Sequence, residues 1–241
     1  MRWAALALAA LALTGCESSA EKSAKLEKAA LAALRAGPAA KGGLKITRAS
    51  TAVRVISSTL VHDTEGTAAI VTLRNDGAAA EQAIPLEITV TGSGGSTLYT
   101  NTSAGIAASL TSVSYIAAHA TSTWVDDQVQ TSGTATGVSA EVGEGRRAAG
   151  PPPRIELHRG EVTHEASGTE VKGTAVNRSS VTQKELVIYA FARSGADTVA
   201  AGRAVLPELA SGASATFSIL LIGQAPPGAA ITLTAPPTTL R

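Results

Sequence analysis

The run Leu60-Val61-His62-Asp63-Thr64-Glu65-Gly66-Thr67-Ala68-Ala69-Ile70-Val71-Thr72-Leu73-Arg74-Asn75 lies over Val162-Thr163-His164-Glu165-Ala166-Ser167-Gly168-Thr169-Glu170-Val171-Lys172-Gly173-Thr174-Ala175-Val176-Asn177, with His, Gly, Thr, Thr and Asn identical at an offset of 102. Each copy alternates side chains in the period of a strand, turns at a glycine, and continues as a second strand rich in Val, Ile and Thr. The chain is therefore a duplication of one β unit.

Working outward from the repeat, the same order of strands is expected on both sides. The first copy predicts strands over 53–61, 67–74, 84–91 and 97–101, then one carrying Trp124 and a last one over 137–142. The second predicts 155–163, 169–176, 184–193 and 198–206, one carrying Phe217, and 230–235. Asn75-Asp76-Gly77 and Asn177-Arg178-Ser179-Ser180 bend the chain, because Asn and Gly tolerate left-handed backbone. Leu86 and Ile88 are matched to Leu186 and Ile188, which places a two-residue deletion in the loop before the third strand of the second copy. Ile116 and Thr123-Trp124 are matched to Leu209 and Thr216-Phe217, and Trp124 and Phe217 are expected in the two cores. Short alternating runs separated by Gly, Asn, Asp and Ser predict an all-β fold of two tandem immunoglobulin-like antiparallel β-sandwiches, at 46–145 and 154–241. The intervening 146–153 contains Arg146-Arg147 and Pro151-Pro152-Pro153 and is expected to be a stiff exposed spacer, because three prolines cannot enter a central strand.

Gly173 to Gly195, Leu209-Ala210-Ser211-Gly212 and Phe217-Ser218-Ile219 resemble the FxLYD family of bacterial immunoglobulin-like modules, which carry G-x-V-x-N, a central strand ending in an aromatic-polar-Gly turn, and L-x-P-G. The resemblance covers about 154–235 and, more weakly, 51–142. Phe191-Ala192-Arg193 stands where the family has Phe-Tyr-Asp, and Ser211-Gly212 where it has Pro-Gly. The resemblance implies the fold and no catalytic residues.

At the other end of the chain, Arg2 and the apolar run from Trp3 to Leu13 have the charge and length of a signal peptide and are too short to span a bilayer core. Leu13-Thr14-Gly15-Cys16 resembles the lipobox of bacterial lipoproteins. That resemblance implies cleavage after residue 15 and lipid on Cys16, giving a protein anchored to a cell membrane on its extracytoplasmic side, at the outer surface or the periplasmic face. Two or more acyl chains suffice for lasting attachment. Cys16 is the sole cysteine, so no internal disulfide is available. Residues 16–45 read as a tether: Ser18 and Glu21 have capping-box spacing, 20–36 are rich in Ala, Leu, Lys and Glu, and Gly37-Pro38 ends the helix.

Loss of Arg2 with the signal leaves 19 basic residues against 19 acidic ones. A neutral mature chain with one Trp, three Tyr and two Phe has neither the charge nor the stacking surface of a nucleic-acid binder. His62-Asp63 and His164-Glu165 occupy equivalent turns, but neighbours on a strand point to opposite faces and do not converge on one ion. Asp126-Asp127 lacks the oxygen-rich spacing of calcium loops and reads as a solvated strand edge. His119 and His158 have no partner in sequence, and Gly92-Ser93-Gly94-Gly95 is a hairpin tip. Asn101-Thr102-Ser103 and Asn177-Arg178-Ser179 match glycosylation sequons without further meaning in a bacterial lipoprotein. No catalytic, metal-binding or cofactor-binding residues are assigned, and Cys16 is the one site residue. The expected role is a non-catalytic envelope module that binds or scaffolds a protein partner. The alternative is a solute- or ion-binding accessory subunit of a transporter or secretion system, which requires a concave pocket with converging polar groups.

Overall fold

Fourteen antiparallel strands follow one another in a computed structural model that describes residues 42–165 and 168–240. The signal peptide, Cys16 and the tether helix expected over 20–36 lie outside the described residues.

The first half contains β1 (Val53–His62), β2 (Thr67–Asn75), β3 (Glu81–Gly92), β4 (Thr97–Thr100), β5 (Ser112–Ile116), β6 (Thr121–Val129), β7 (Ala135–Val142) and the two-residue β8 (Arg146–Arg147). The second contains β9 (Ile155–Glu165), β10 (Gly168–Asn177), β11 (Gln183–Ser194), β12 (Asp197–Leu209), β13 (Ser214–Gly223) and β14 (Ala230–Thr234). In the first half β1-β2-β6 form one sheet, while β3 is flanked by β4 and β5 on one edge and by β7 and β8 on the other. The second half repeats this pairing as β9-β10-β13 and β14-β11-β12, and β12 also pairs with β13 so that its two sheets are continuous.

The hydrogen-bond registers fix the equivalence of the halves residue by residue. Val71 pairs with Trp124 and Gly173 with Phe217; Glu81 pairs with Ile116 and Gln183 with Leu209; Ile88 pairs with Ala140 and Ala190 with Leu233. The offset of 102 thus runs unbroken through β3 and β11, and becomes 93 from β5 onward. The deletion expected before the third strand is absent: Leu86 corresponds to Ile188, not Leu186. All of the length difference falls between β3 and β5. There the first half leaves the sheet after β4 and returns through a single helical turn at Ala108–Leu110, whereas the second runs straight along β12. A long apolar strand made the two-residue slip invisible, since Leu186, Ile188 and Ala190 all suit the same face.

The excursion leaves the middle of β3 without a strand partner on its β4 and β5 edge, and Asn101 fills the gap. Its Oδ1 accepts from Ile88 N and its Nδ2 donates to Leu86 O and Leu110 O. Both sequon asparagines, Asn101 and Asn177, are fully buried.

Alternation puts Ile84, Leu86, Ile88 and Val90 with Leu73 and Trp124 in the first core, and Leu186, Ile188, Ala190 and Ala192 with Phe217 in the second. Trp124 and Phe217 are thus buried at equivalent positions. Gly173 lies opposite Phe217, and a Cβ there would sit 2.4 Å from the ring, so the small residue admits the aromatic.

The halves are not held apart. β11 is buried from Leu186 to Ala192 on both faces, and its outward Val187, Tyr189 and Phe191, with Ala201 of β12 and Ile222 of β13, belong to the core of the first half. β2 is likewise buried on consecutive residues, Ala68 to Val71, and β6 from Thr123 to Asp126. The sheet β1-β2-β6 is therefore covered on both sides, by β3 and its neighbours and by β11, β12 and β13. A strand buried on two faces reads as a continuous apolar run, as β11 does. The expected spacer begins inside the fold, since Arg146 and Arg147 pair with Gln82 and Glu81.

Candidate functional site

The seam between the halves engages two of the polar side chains that sequence analysis singled out, Asp63 and Asp127. Asp126 and Asp127 follow Trp124 on β6 and point to opposite faces. They do not form a solvated edge, because the second half covers this sheet. Asp126 is fully buried inside the first half, where Tyr99 of β4 donates its hydroxyl to Oδ2 at 2.9 Å and Gln128 N donates to Oδ1 at 2.9 Å. Burial raises the Asp126 carboxyl above its ordinary value, against the lowering effect of these hydrogen bonds and of Arg203. Burial and the neighbouring carboxylate likewise push the Tyr99 phenol up, so it stays protonated and donates.

Asp127 turns outward to Arg203 of β12. The Arg203 Nε donates to Oδ1 at 3.1 Å, its backbone N donates to Oδ2 at 3.1 Å, and its Nη1 reaches Ser109 Oγ at 3.0 Å. The side chain of Arg203 is 5% exposed. An ion pair this enclosed gains little net stability, but removing one partner leaves a buried charge and costs about 3–5 kcal/mol. The same network reaches the core, because Trp124 Nε1 donates to Ser109 O at 3.0 Å.

At the far end of the seam the two equivalent turns meet. Asp63 accepts at Oδ1 from Glu65 N and Gly66 N, closing its own turn, and at Oδ2 from Gly223 N of the second half at 2.6 Å. His164 and Glu165 line the same cleft of about 290 Å³ as Asp63 and Thr64. Both oxygens of Asp63 are occupied by backbone donors, and His164 Nδ1 lies 3.0 Å from Thr169 Oγ1. These groups tie turns together rather than converge on a ligand position. His62 is exposed on β1.

His119 serves the backbone. Its φ of +57 places it in the left-handed region of the turn before β6, where the equivalent residue is Gly212 with φ +71. His158 lies on β9 with Nε2 4.0 Å from Glu156. Arg146 and Arg147 are exposed on β8.

Sequence reasoning missed Arg203, Tyr99 and Ser109. Arg203 lies in an otherwise small and apolar stretch, Ala200-Ala201-Gly202-Arg203-Ala204-Val205, and that isolation was the available signal for a buried partner. No family model matches this sequence, and no curated protein is significantly similar to it.

Proposed function

We propose that the chain is a lipid-anchored, non-catalytic protein of the bacterial cell envelope, carrying two immunoglobulin-like units of the FxLYD kind that bind or scaffold a protein partner. Lipid on Cys16 would hold it at the membrane, residues 16–45 would act as the tether, and the paired β units would be displayed beyond. The observation that carries this reading is the seam. Val187, Tyr189 and Phe191 pack on the first half, and Arg203 closes on Asp127, so the two units present their loops and edges in one fixed relation. A display module needs that rigidity, and Asp63 and Asp127, two of the polar groups singled out by sequence, are engaged in it.

Membrane fractionation of Cys16→Ala tests the anchor: the variant is expected in the soluble fraction, and continued membrane retention overturns lipidation. Crosslinking of the intact membrane protein followed by mass spectrometry tests the partner. A single recurrent protein crosslinked through loops of both halves is the expected outcome, whereas no protein crosslink above background counts against a scaffolding role.

A further inference from the structure

A second cleft on the seam, of about 260 Å³, is walled by Ser109, Ser112 and Arg146 of the first half and by Lys184, Glu185 and Tyr189 of the second. Tyr189 is 4% exposed, on the β11 face that packs against the first half. A buried tyrosine hydroxyl ordinarily has a partner. Among the described residues, Thr234 Oγ1 is the one side-chain polar atom both sealed from solvent and unpartnered. The Tyr189 hydroxyl makes no hydrogen bond within those residues, and the side chain lines the cleft.

Its surroundings are rich in donors and positive charge. Arg146 and Lys184 form no ion pair among the described residues, while Ser112 Oγ is committed to Ala108 O and Ser109 Oγ already accepts from Arg203. Arg146 is placed by backbone pairing with Gln82, which also lines the cleft. Ala108 and Val187 supply an apolar wall. Glu185, held at φ +50, is the one carboxylate on the rim.

We propose that this cleft binds a small organic anion, whose carboxylate or phosphate group lies between Arg146 and Lys184 and accepts a hydrogen bond from the Tyr189 hydroxyl. The site joins both halves, so the ligand would also fasten the seam. The proposal does not depend on how the chain is anchored or on a protein partner.

Calorimetric titration of the full chain in detergent with inorganic phosphate, and separately with succinate, tests it. Trp124 emission gives a second readout, because its indole is bonded to Ser109 at the cleft wall. Saturable binding of at least one probe is expected. Tyr189→Phe, which keeps the ring and its packing, weakens it about fivefold, the effect of one hydrogen bond. Arg146→Ala with Lys184→Ala abolishes it, and Glu185→Gln tightens it. Phosphate alone saturating identifies a phosphate ester, and succinate alone a carboxylate. If neither probe saturates, or if the Tyr189 and Arg146/Lys184 variants with unchanged melting midpoints bind as the parent does, the proposal fails.

Discussion

Asn75 and Asn177 do at the residue scale what the repeat does at large. Asn75 Nδ2 is shared between Ala79 O, Ile116 O and Ala117 O, and its Oδ1 accepts from Gly77 N. Asn177 Nδ2 is shared between Val181 O, Leu209 O and Ala210 O, and its Oδ1 accepts from Ser179 N. Their identity was legible in the sequence, but the reason was not: neither residue has positive φ, and each is kept for its amide, which plugs the end of the sandwich. Alanine at either position strands buried carbonyls and is expected to cost about 3 kcal/mol, measured by denaturant unfolding, with Asn75 and Asn177 alike. A nearby bridge is conserved in geometry with its charges exchanged. Arg54 and Asp76 become Glu156 and Arg178 at the same offset, so comparing identities alone hid an equivalence that the contact preserves. Asp126 makes a different prediction. Its pKa is raised above the ordinary 3.8, so the folded state binds a proton that the unfolded chain has already lost, and stability falls as pH rises from 3.8 through the folded value. Asp76, Glu156 and Glu170 are lowered by their hydrogen bonds, and their contribution is lost only as pH falls below their ordinary range. The melting midpoint should therefore rise as the pH falls through the raised Asp126 value, before the ordinary range of the exposed carboxylates is reached. Asp126→Asn should lack that rise.

Element boundaries were readable because turns announce themselves: Gly66, Gly95 and Gly195 lie at positive φ between strands, and Gly168 does so as the first residue of β10. The break in the first half was not readable, because the segment between β4 and β5 has the same small polar composition as a loop and as an edge strand. What distinguishes it is Asn101, whose side chain imitates a strand partner for β3. The turn before β6 shows the opposite case, a position where sequence and backbone disagree. Ala120 N bonds to Ala117 O just as Ala213 N bonds to Ala210 O, but the left-handed residue is His119 in one half and Gly212 in the other. A non-glycine residue there is disfavoured by about 1 kcal/mol. His119→Gly should stabilise the chain by up to that amount in chemical denaturation, and Gly212→Ala should destabilise it comparably. A lower stability for His119→Gly would mean that the imidazole makes a contact worth more than the backbone strain.

At the scale of the whole molecule the two halves meet through faces that are alike in fold and unlike in chemistry. The buried face of the first half carries Ala68, Ile70 and Val125 on β2 and β6. The equivalent residues of the second half are Glu170, Lys172 and Ser218, which are linked on an open face by a Lys172 Nζ to Glu170 Oε2 contact of 3.0 Å and by a hydrogen bond from Ser218 to Glu170. On the other side, the Val187, Tyr189 and Phe191 that the seam covers correspond to Pro85, Glu87 and Thr89 of the first half. A head-to-tail contact would propagate if every unit carried both apolar faces, and here the terminal faces are mainly polar, with Leu220, 44% exposed opposite Glu170, as the large apolar exception on the second half. The proline-rich linker suggested separate domains because it does not report on outward-facing residues, whereas the continuous apolar run of β11 did. Glu170→Ala, Lys172→Ile and Ser218→Val together would restore the buried chemistry of the first half on an exposed sheet, adding an apolar patch with nothing to cover it. In detergent the triple variant is expected to sediment as a dimer or larger species at concentrations where the parent remains a monomer. An unchanged sedimentation coefficient would mean that the shape of that face, and not its charge, prevents a third layer from adding.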